Sequence, residues 1–418
     1  MRGGGAGRDR RAVPTDRAPL TPASRPATAA SSRRLSAALF AGGIATFAEL
    51  YAVQAVLPAL AEEWSLTGST ASLAVSVATG ALALSVLPWA AVADRIGRAR
   101  AMTISAVIAA LGGAVLPLAP SFPVLLALRA VSGLALGALP ALAMAHLVAT
   151  APAGRASAVG GLYIAGTTIG GLSGRVLTGA VSAVAGWRWG LATTAALVAI
   201  SVVVLIVLLP PGADAPPGQV RSGRPGQRQR DRIRLALADR TVRVFYVQAF
   251  LLMGGFVTIY NLLGFRLLAD PYRLPASVVS LLFLTYLVGT VGSSGVGRLV
   301  ARFGRRRILA AAGYGMALGA GLMLATPLGW VLTGLVAATF CFFVAHAIAA
   351  TWAGEQVPAA RSQASALYSL AYYAGSSVLG FTGALIYDGA GWAGAMVMVI
   401  ACVGTAATLA VFGAPRLA

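Results

Sequence analysis

Lysine is absent from this 418-residue sequence, so all 32 of its basic residues are arginine. Charged residues of either sign make up only 11% of the chain, whereas hydrophobic residues make up 58%, and the mean hydropathy is +0.81. A soluble protein could not bury so much apolar surface. The composition therefore predicts a protein that crosses a membrane many times.

Several site chemistries are also missing. The two cysteines, Cys341 and Cys402, lie in apolar runs and have neither a disulfide nor a metal-ligand spacing. The sequence contains no phosphate-cradling Walker motif, no nucleophile–base arrangement and no metal-ligand cluster. We therefore expect no catalytic residues, no metal site, no cofactor and no enzymatic activity.

The formal net charge of +20 suggests nucleic-acid binding at first sight. Most of the arginines, however, occur in short runs between apolar segments, and no segment is long enough to form a soluble nucleic-acid-binding domain. We expect the lipid bilayer as the surrounding partner and no nucleic acid.

Apolar runs divide the chain into twelve predicted helices. They lie near 38–60, 70–93, 100–119, 121–149, 156–184, 188–209, 242–267, 276–300, 307–326, 328–352, 362–387 and 391–413. The predicted domains are a disordered cytoplasmic tail (1–35), an N-terminal six-helix bundle (36–209), a cytoplasmic linker (210–240) and a C-terminal six-helix bundle (241–414). At the end of the linker, residues 232–237 form either a short amphipathic helix on an anionic membrane surface or a solvated charged loop.

An internal repeat with an offset of about 207 residues relates the two sets of helices. The segment Ala93-Asp94-Arg95-Ile96-Gly97-Arg98 returns as Ala301-Arg302-Phe303-Gly304-Arg305. Each copy joins two apolar runs by a tight, arginine-rich turn. A doubled membrane unit is typical of transporters, in which two similar halves rock about a site held between them.

Arginine also predicts the orientation. It occupies the N-terminal tail, the turns after predicted helices 2, 4, 8 and 10, the central loop and the C-terminus, which all lie on one side. The opposite loops carry Glu62, Glu63, Asp270 and Asp388 against Arg188 and Arg273. The asymmetry predicts that both termini are cytoplasmic. We expect the membrane to be the plasma (inner) membrane.

The pattern resembles the major facilitator superfamily from about 38 to 413. The family's turn motif between helices 2 and 3 is matched by Asp94, Arg95, Gly97 and Arg98, and the second copy keeps Gly304 and Arg305 but has Ala301 in place of the acid. Helix 4 carries Arg129, similar to proton-coupled members. The glycine-rich stretch of helix 5 is similar to that of drug–proton antiporters, except that Thr167 replaces the usual proline. The residues Tyr51, Gln54 and Pro58 look most like the YnfM-like, arabinose-efflux-permease-like branch.

The resemblance implies an all-α membrane protein with twelve transmembrane helices in two pseudo-symmetric six-helix bundles. It also implies a small-molecule substrate, a proton gradient as the energy source, and function as a monomer. In this family, the aspartate of the first turn holds the halves together on the inner side. Asp94 is therefore expected to contact the start of helix 11 near Arg361.

Buried ionisable groups are the candidates for proton coupling, because a charge at membrane depth is costly. Glu49 lies near the middle of helix 1, Arg129 in helix 4 and Arg175 in helix 5. We expect Glu49 to pair with one of these arginines. The alternatives are a fixed ion pair that only secures helix packing and, for Arg175, a side chain that snorkels to the outer interface. His146 and His346 do not occupy equivalent repeat positions, which disfavours a relay role.

Amides and tyrosines in apolar helices are the candidates for the wall of a substrate cavity. For each tyrosine, ordinary packing or an interfacial anchor is the alternative. The candidates are Gln54, Tyr163, Gln248, Tyr260, Asn261, Tyr286 and Tyr372.

The sequence and the resemblance together predict a secondary active transporter that exports small organic compounds by proton-coupled alternating access. The alternative is a facilitator or proton symporter for uptake of a sugar or another metabolite. Thr167 in place of proline keeps this alternative open.

Overall fold

The computed structural model describes residues 29–150, 156–210 and 225–413, and every regular element within these ranges is helical. The first half contains α1 (Ala29–Tyr51), α2 (Leu57–Glu63), α3 (Gly68–Ile96), α4 (Arg98–Val115), α5 (Phe122–Leu136), α6 (Ala138–Thr150), α7 (Ala156–Ala185) and α8 (Trp187–Leu208). The second half contains α9 (Pro225–Ala238), α10 (Arg240–Leu268), α11 (Ala276–Leu281), α12 (Thr285–Phe303), α13 (Arg305–Leu322), α14 (Leu328–Gln356) and α15 (Arg361–Phe412).

These helices form the twelve predicted crossings. Three crossings are built from two helices each (α1 with α2, α5 with α6, and α11 with α12), whereas Gly391 divides α15 into the eleventh and twelfth crossings. By length and composition, nine segments of the described residues qualify as membrane spans. These nine count α15 once and do not include α7, which is rich in glycine, or α13, which begins with three arginines. The predicted fold of two six-helix bundles is confirmed.

The internal repeat is visible in the backbone. Gly97 and Gly304 precede α4 and α13 with φ values of +91° and +83°, and Gly186 and Gly391 precede α8 and the twelfth crossing with +85° and +65°. Side chains with a Cβ atom rarely adopt such angles, so glycine is required at these four turns. Each pair is separated by nearly the same number of residues, which is why the two halves turn in the same way.

The structure differs from the sequence prediction at the N-terminal segment and agrees with one of the two alternatives given for the end of the linker. Helix α1 begins at Ala29, inside the segment 1–35 predicted as a disordered tail, of which 1–28 lie outside the described residues. The end of the predicted linker, Pro225–Ala238, is the helix α9, so its helical alternative describes the backbone; residues 211–224 lie outside the described part. Helix α10 follows at once because Asp239 accepts a hydrogen bond from the backbone N–H of Val242 at 3.0 Å and so caps its start.

Small residues let the helices of the first half approach closely. A Cβ atom on Gly166 would lie 2.3 Å from the carbonyl oxygen of Phe40, and one on Gly170 would lie 2.5 Å from that of Ile44. Helices α1 and α7 are therefore in backbone contact over several turns. This contact fixes the position of α7, which contributes Tyr163, Thr167, Thr168 and Arg175 to the site described next.

Candidate functional site

The two ends of the helix bundle are chemically different. We call the end that carries the turns at Gly97 and Gly304 the arginine-rich face, and the end that carries Glu63 and Asp388 the opposite face. The two halves are joined towards the opposite face. The backbone N–H of Ser69 donates to Asp388 Oδ2 at 2.9 Å, and Ser377 Oγ donates to the carbonyl oxygen of Ser76 at 2.7 Å. Both bonds link α3 to α15 and close this side.

A cavity of about 400 Å³ lies between the halves, on the arginine-rich side of these contacts. Phe and Tyr are the commonest residues in its wall, and no Asp or Glu is among the described residues that line it. The polar and aromatic side chains that line it are Phe47, Tyr51, Tyr163, Thr167, Thr168, Arg175, Phe256, Tyr286, Ser293, Phe342, Phe343, His346, Thr351, Tyr368, Ser369, Tyr372 and Tyr373.

Arg175 forms the inner end of the cavity and is only 2% exposed. Its Nε donates to Gln54 Oε1 and its Nη1 donates to the carbonyl oxygen of Gly171, both at 2.6 Å. The guanidinium carbon lies 4.5 Å from the centre of the Tyr51 ring and 4.7 Å from that of the Tyr286 ring, a cation–π arrangement on both sides. Because Gly171 precedes Arg175 by one helical turn, the side chain points back towards the arginine-rich face rather than snorkelling outward.

Gln54 connects this arginine to the other half. Its Nε2 donates to Asn261 Oδ1 at 2.6 Å, and both amides are buried. The hydrogen bonds therefore run from Arg175 on α7 through the 3₁₀ turn Ala52–Val56 to α10. Neither amide lines the cavity, because Arg175 lies between the cavity and Gln54.

Glu49 and Arg129 pair with each other outside the cavity. Arg129 Nη1 lies 3.7 Å from Glu49 Oε1, and the two side chains are 0% and 4% exposed. On α1, Glu49 lies two residues from both Phe47 and Tyr51, which line the cavity. Two residues correspond to about 200° of helix rotation, so Glu49 points to the far side of α1. There it lies against Gly113, whose added Cβ would be 2.2 Å from Glu49 Oε2.

Arg129 also donates hydrogen bonds to the backbone at a break in the first crossing. Helix α1 ends at Tyr51 and continues as a 3₁₀ turn, which leaves backbone carbonyls without their usual helical donors. Arg129 donates to the carbonyl oxygens of Glu49 at 2.9 Å and Leu50 at 2.5 Å, and its Nε donates to that of Ala74 at 2.8 Å. Glu49 Oε1 accepts no hydrogen bond from any described residue. Arg129 thus holds the helix break, and it is also the one ion-pair partner of Glu49 among the described residues.

Of the predicted cavity residues, Tyr163, Tyr286 and Tyr372 lie in its wall. Gln54 and Asn261 lie behind Arg175, as described above. Two others are placed inside the second half: Gln248 donates to the carbonyl oxygen of Ala406 at 2.9 Å. The Tyr260 hydroxyl is 2.6 Å from Thr285 Oγ1 and 2.7 Å from Thr339 Oγ1. Their helix, α10, turns these groups towards neighbouring helices of its own bundle.

The predicted cavity residue Tyr372 belongs to an aromatic cluster on α10, α14 and α15 whose other members, Phe256, Phe342 and Tyr368, are not among the residues predicted from the sequence. Phe342 stacks on Phe256 with ring centres 3.9 Å apart, and the His346 ring lies 4.7 Å from that of Tyr372. His346 Nδ1 is also 3.0 Å from the Tyr368 hydroxyl. The available signal was spacing, because 342 with 346 and 368 with 372 are each one helical turn apart and share a face.

The predicted gate residues lie apart at the arginine-rich face. Asp94 and Arg361 are both exposed, and neither belongs to any ion pair formed within the described ranges. Arg95 is exposed and Arg98 half-buried. In the second copy of the motif, Arg305 donates to Glu355 of α14, a bond within one half. Among the described residues, the structure is therefore closed on the opposite face, and Asp94 forms no ion pair on the arginine-rich face.

No group of three or more His, Cys, Asp or Glu side chains among the described residues could hold a metal ion. This statement applies to residues 29–150, 156–210 and 225–413 and not to the residues between these ranges.

Comparison with known proteins gives concordant matches. The sequence model of the Major Facilitator Superfamily matches residues 39–380. The chain is 34% identical over 367 residues to YybF of Bacillus subtilis, described as an uncharacterized MFS-type transporter, covering 88% of this chain and 90% of that protein. It is also 34% identical over 373 residues to the inner membrane transport protein YnfM of Escherichia coli, covering 88% of each.

Solved structures show the same fold. The nucleoside transporter NupG aligns with a TM-score of 0.73 at 15% identity, covering 91% of this chain and 99% of that one. The inward-open conformation of the xylose transporter XylE from E. coli aligns with a TM-score of 0.71 at 16% identity, covering 93% and 97%. At this identity the likeness concerns the fold alone.

Proposed function

Because this chain belongs to the Major Facilitator Superfamily, a family of membrane transporters, we propose that it exports small organic compounds in exchange for protons. The observation that supports this most is the cavity between the halves, closed towards the opposite face by the α3–α15 contacts. The arginine-rich face is the cytoplasmic one by the positive-inside rule. In this state an exporter loads its substrate from the cytoplasm.

Glu49 is the group that we propose to exchange the proton. It is a buried carboxylate with one oxygen that accepts no hydrogen bond from the described residues and a single arginine partner at 3.7 Å. Burial favours its neutral form and Arg129 favours its charged form, so a small movement of the arginine changes which form prevails. Glu49 lies between the cavity residues Phe47 and Tyr51 on α1, which gives a substrate-induced shift of α1 a direct route to it.

The character of the cavity favours export of largely apolar compounds over uptake of a sugar. Sugar binding relies on many hydrogen-bonding groups, and the amides Gln54, Gln248 and Asn261 are not among the described residues that line the cavity. Gln54 bonds Arg175 and Asn261, and Gln248 bonds Ala406. Stacked aromatic rings such as Phe256 and Phe342 offer flat apolar surface instead.

A proteoliposome assay with a pH-sensitive dye inside the vesicles tests this proposal. Compounds from a panel of small aromatic molecules are added outside, and both compound entry and internal pH are recorded. We expect compound entry with alkalinisation of the interior, because exchange moves a proton out for each compound that enters. The sign does not depend on how the protein is oriented. Acidification would indicate symport and no pH change a facilitator, and either result would contradict the proposal.

A further inference from the structure

We propose that the transported compounds are organic anions whose negative group binds at Arg175. This inference rests on the proposed function, since it names the substrate class of the same cavity. It starts from a charge imbalance at the inner end of that cavity.

Arg175 is a buried cation without a counter-ion in the described part of the chain. The four ion pairs found there are Glu49–Arg129, Glu63–Arg188, Asp270–Arg273 and Glu355–Arg305. The only other buried arginine, among residues whose burial is described, is Arg129, and it has its carboxylate. Leaving a charge unpaired in an apolar interior is costly, so a missing partner at a cavity wall points to a ligand that supplies it.

The geometry leaves room for that partner. The Nε and Nη1 atoms of Arg175 donate to neutral oxygens of Gln54 and Gly171, whereas Nη2 donates to no described residue. The hydroxyl of Tyr51 also has no hydrogen-bond partner among those residues, although it is buried. Its ring lies against the same guanidinium, at 4.5 Å. An oxygen of a carboxylate, sulfonate or phosphonate group needs hydrogen-bond donors, and Arg175 Nη2 and the Tyr51 hydroxyl are two such donors.

The rest of the cavity suits the remainder of such a molecule and disfavours cations. Tyr286 and the stacked Phe256 and Phe342 rings provide an apolar surface for an aromatic body. No Asp or Glu is among the lining residues that the structure describes, so a positively charged group would meet Arg175 without a compensating carboxylate from these residues. Charge, rather than shape alone, therefore selects the substrate.

The test uses three probes with one ring system and different charge: naphthoate, naphthamide and naphthylmethylammonium. Binding to the full chain in lipid nanodiscs is measured by titration calorimetry at neutral pH, with empty nanodiscs as the baseline. Wild-type protein should bind naphthoate about tenfold or more tightly than naphthamide, as expected for one added charge-assisted hydrogen bond. Naphthylmethylammonium should bind most weakly.

Two substitutions of Arg175 test whether this residue causes the preference for naphthoate. Arg175→Gln should remove the naphthoate preference, and Arg175→Lys should retain part of it because the charge remains. Arg188→Gln is the matched control: it removes an arginine paired with Glu63 away from the cavity, so the preference should stay. Equal or weaker binding of naphthoate than of naphthamide by wild-type protein would overturn the inference, as would a preference that survives in folded Arg175→Gln.

These outcomes are separable from those of the proposed function. Proton-coupled transport of neutral aromatic compounds without any preference for anions would leave proton-driven export intact and overturn the anion assignment. Conversely, an Arg175-dependent preference for naphthoate without proton exchange would contradict the proposed coupling and support the anion site.

Discussion

Gln54 and Asn261 occupy corresponding positions of the two halves, 207 residues apart, and a hydrogen bond of 2.6 Å joins their side-chain amides. The pseudo-two-fold axis of the repeat therefore passes close to this bond. Gln54 also accepts a hydrogen bond from Arg175 in the cavity wall. One amide thus connects the candidate substrate site to the contact between halves.

Replacing Gln54 by Leu should loosen the contact between halves and populate states that are open on the opposite face. The variant loses the bond to Asn261 and also the acceptor for Arg175 Nε. Spin labels on the opposite-face ends of α3 and α10 should show longer distances than in the wild type. Gln248→Leu provides the control, because Gln248 is an equally buried amide that bonds only within its own half. Unchanged distances in Gln54→Leu would show that this bond does not hold the halves.

Replacing Asp94 by Asn should raise the population of states open on the arginine-rich face and impair transport. In the family resemblance, this aspartate holds the halves together in the alternative state, and here it is exposed and outside the four ion pairs formed by the described residues. The distribution of distances between spin labels at Arg95 and Ser362 should shift towards longer distances. Ala301→Asp adds an acid at the corresponding site of the second half and should have no comparable effect. A distance distribution in Asp94→Asn identical to wild type would count against the latch.

The fold could be predicted from the sequence because the two halves repeat the same motifs. The site could be predicted only in part, because the sequence does not show which way each side chain points. The apolar runs predict twelve crossings and the paired turn motifs divide them into two halves, and the positive φ angles at Gly97 and Gly304 follow from the same motifs. In the sequence, Gln248 and Tyr286 are alike, as polar groups in apolar helices, yet of the two only Tyr286 reaches the cavity. Which way such a side chain points depends on helix rotation in the packed bundle, and local sequence does not determine that.

Glu49 illustrates the same limit. Its place in mid-helix indicated a buried carboxylate, and the ion pair with Arg129 was anticipated as one of two pairings. Its position behind the cavity follows from the register of α1, in which Phe47 and Tyr51 take the inner side. The break after Tyr51, where Arg129 donates to two carbonyl oxygens, precedes Pro58, which has no backbone N–H to donate inside a helix.

Arg129→Gln should destabilise the folded protein much more than Glu49→Gln does. The first variant leaves the carbonyl oxygens of Glu49, Leu50 and Ala74 without this donor, at a cost of about 1–3 kcal/mol for each buried group left unsatisfied. Glu49→Gln removes the ion pair but keeps all three bonds to the backbone. Thermal unfolding of both variants in the same detergent gives the comparison. Equal unfolding temperatures would mean that Arg129 stabilises the protein through its ion pair with Glu49 and not through its hydrogen bonds at the helix break.

Labelling from outside the cell should place the two faces on opposite sides of the membrane. Ser65 on the opposite face and Ser362 on the arginine-rich face are both exposed. Each is replaced by Cys in a background without Cys341 and Cys402, and intact cells are treated with a membrane-impermeant thiol reagent. The positive-inside rule predicts labelling of Ser65→Cys alone. Labelling of Ser362→Cys under the same conditions would reverse the assigned topology and with it the direction of transport.

The most direct test of the account compares two transport modes in vesicles that contain wild-type protein or Glu49→Gln. The substitution keeps the shape of the side chain and removes its titration, so the halves should still rock around a bound compound. We expect Glu49→Gln to exchange labelled for unlabelled compound across the membrane at a rate near wild type. Accumulation driven by an imposed pH gradient should be lost in the same vesicles. Gradient-driven accumulation that persists at the wild-type level in Glu49→Gln would contradict the assignment of proton coupling to this carboxylate.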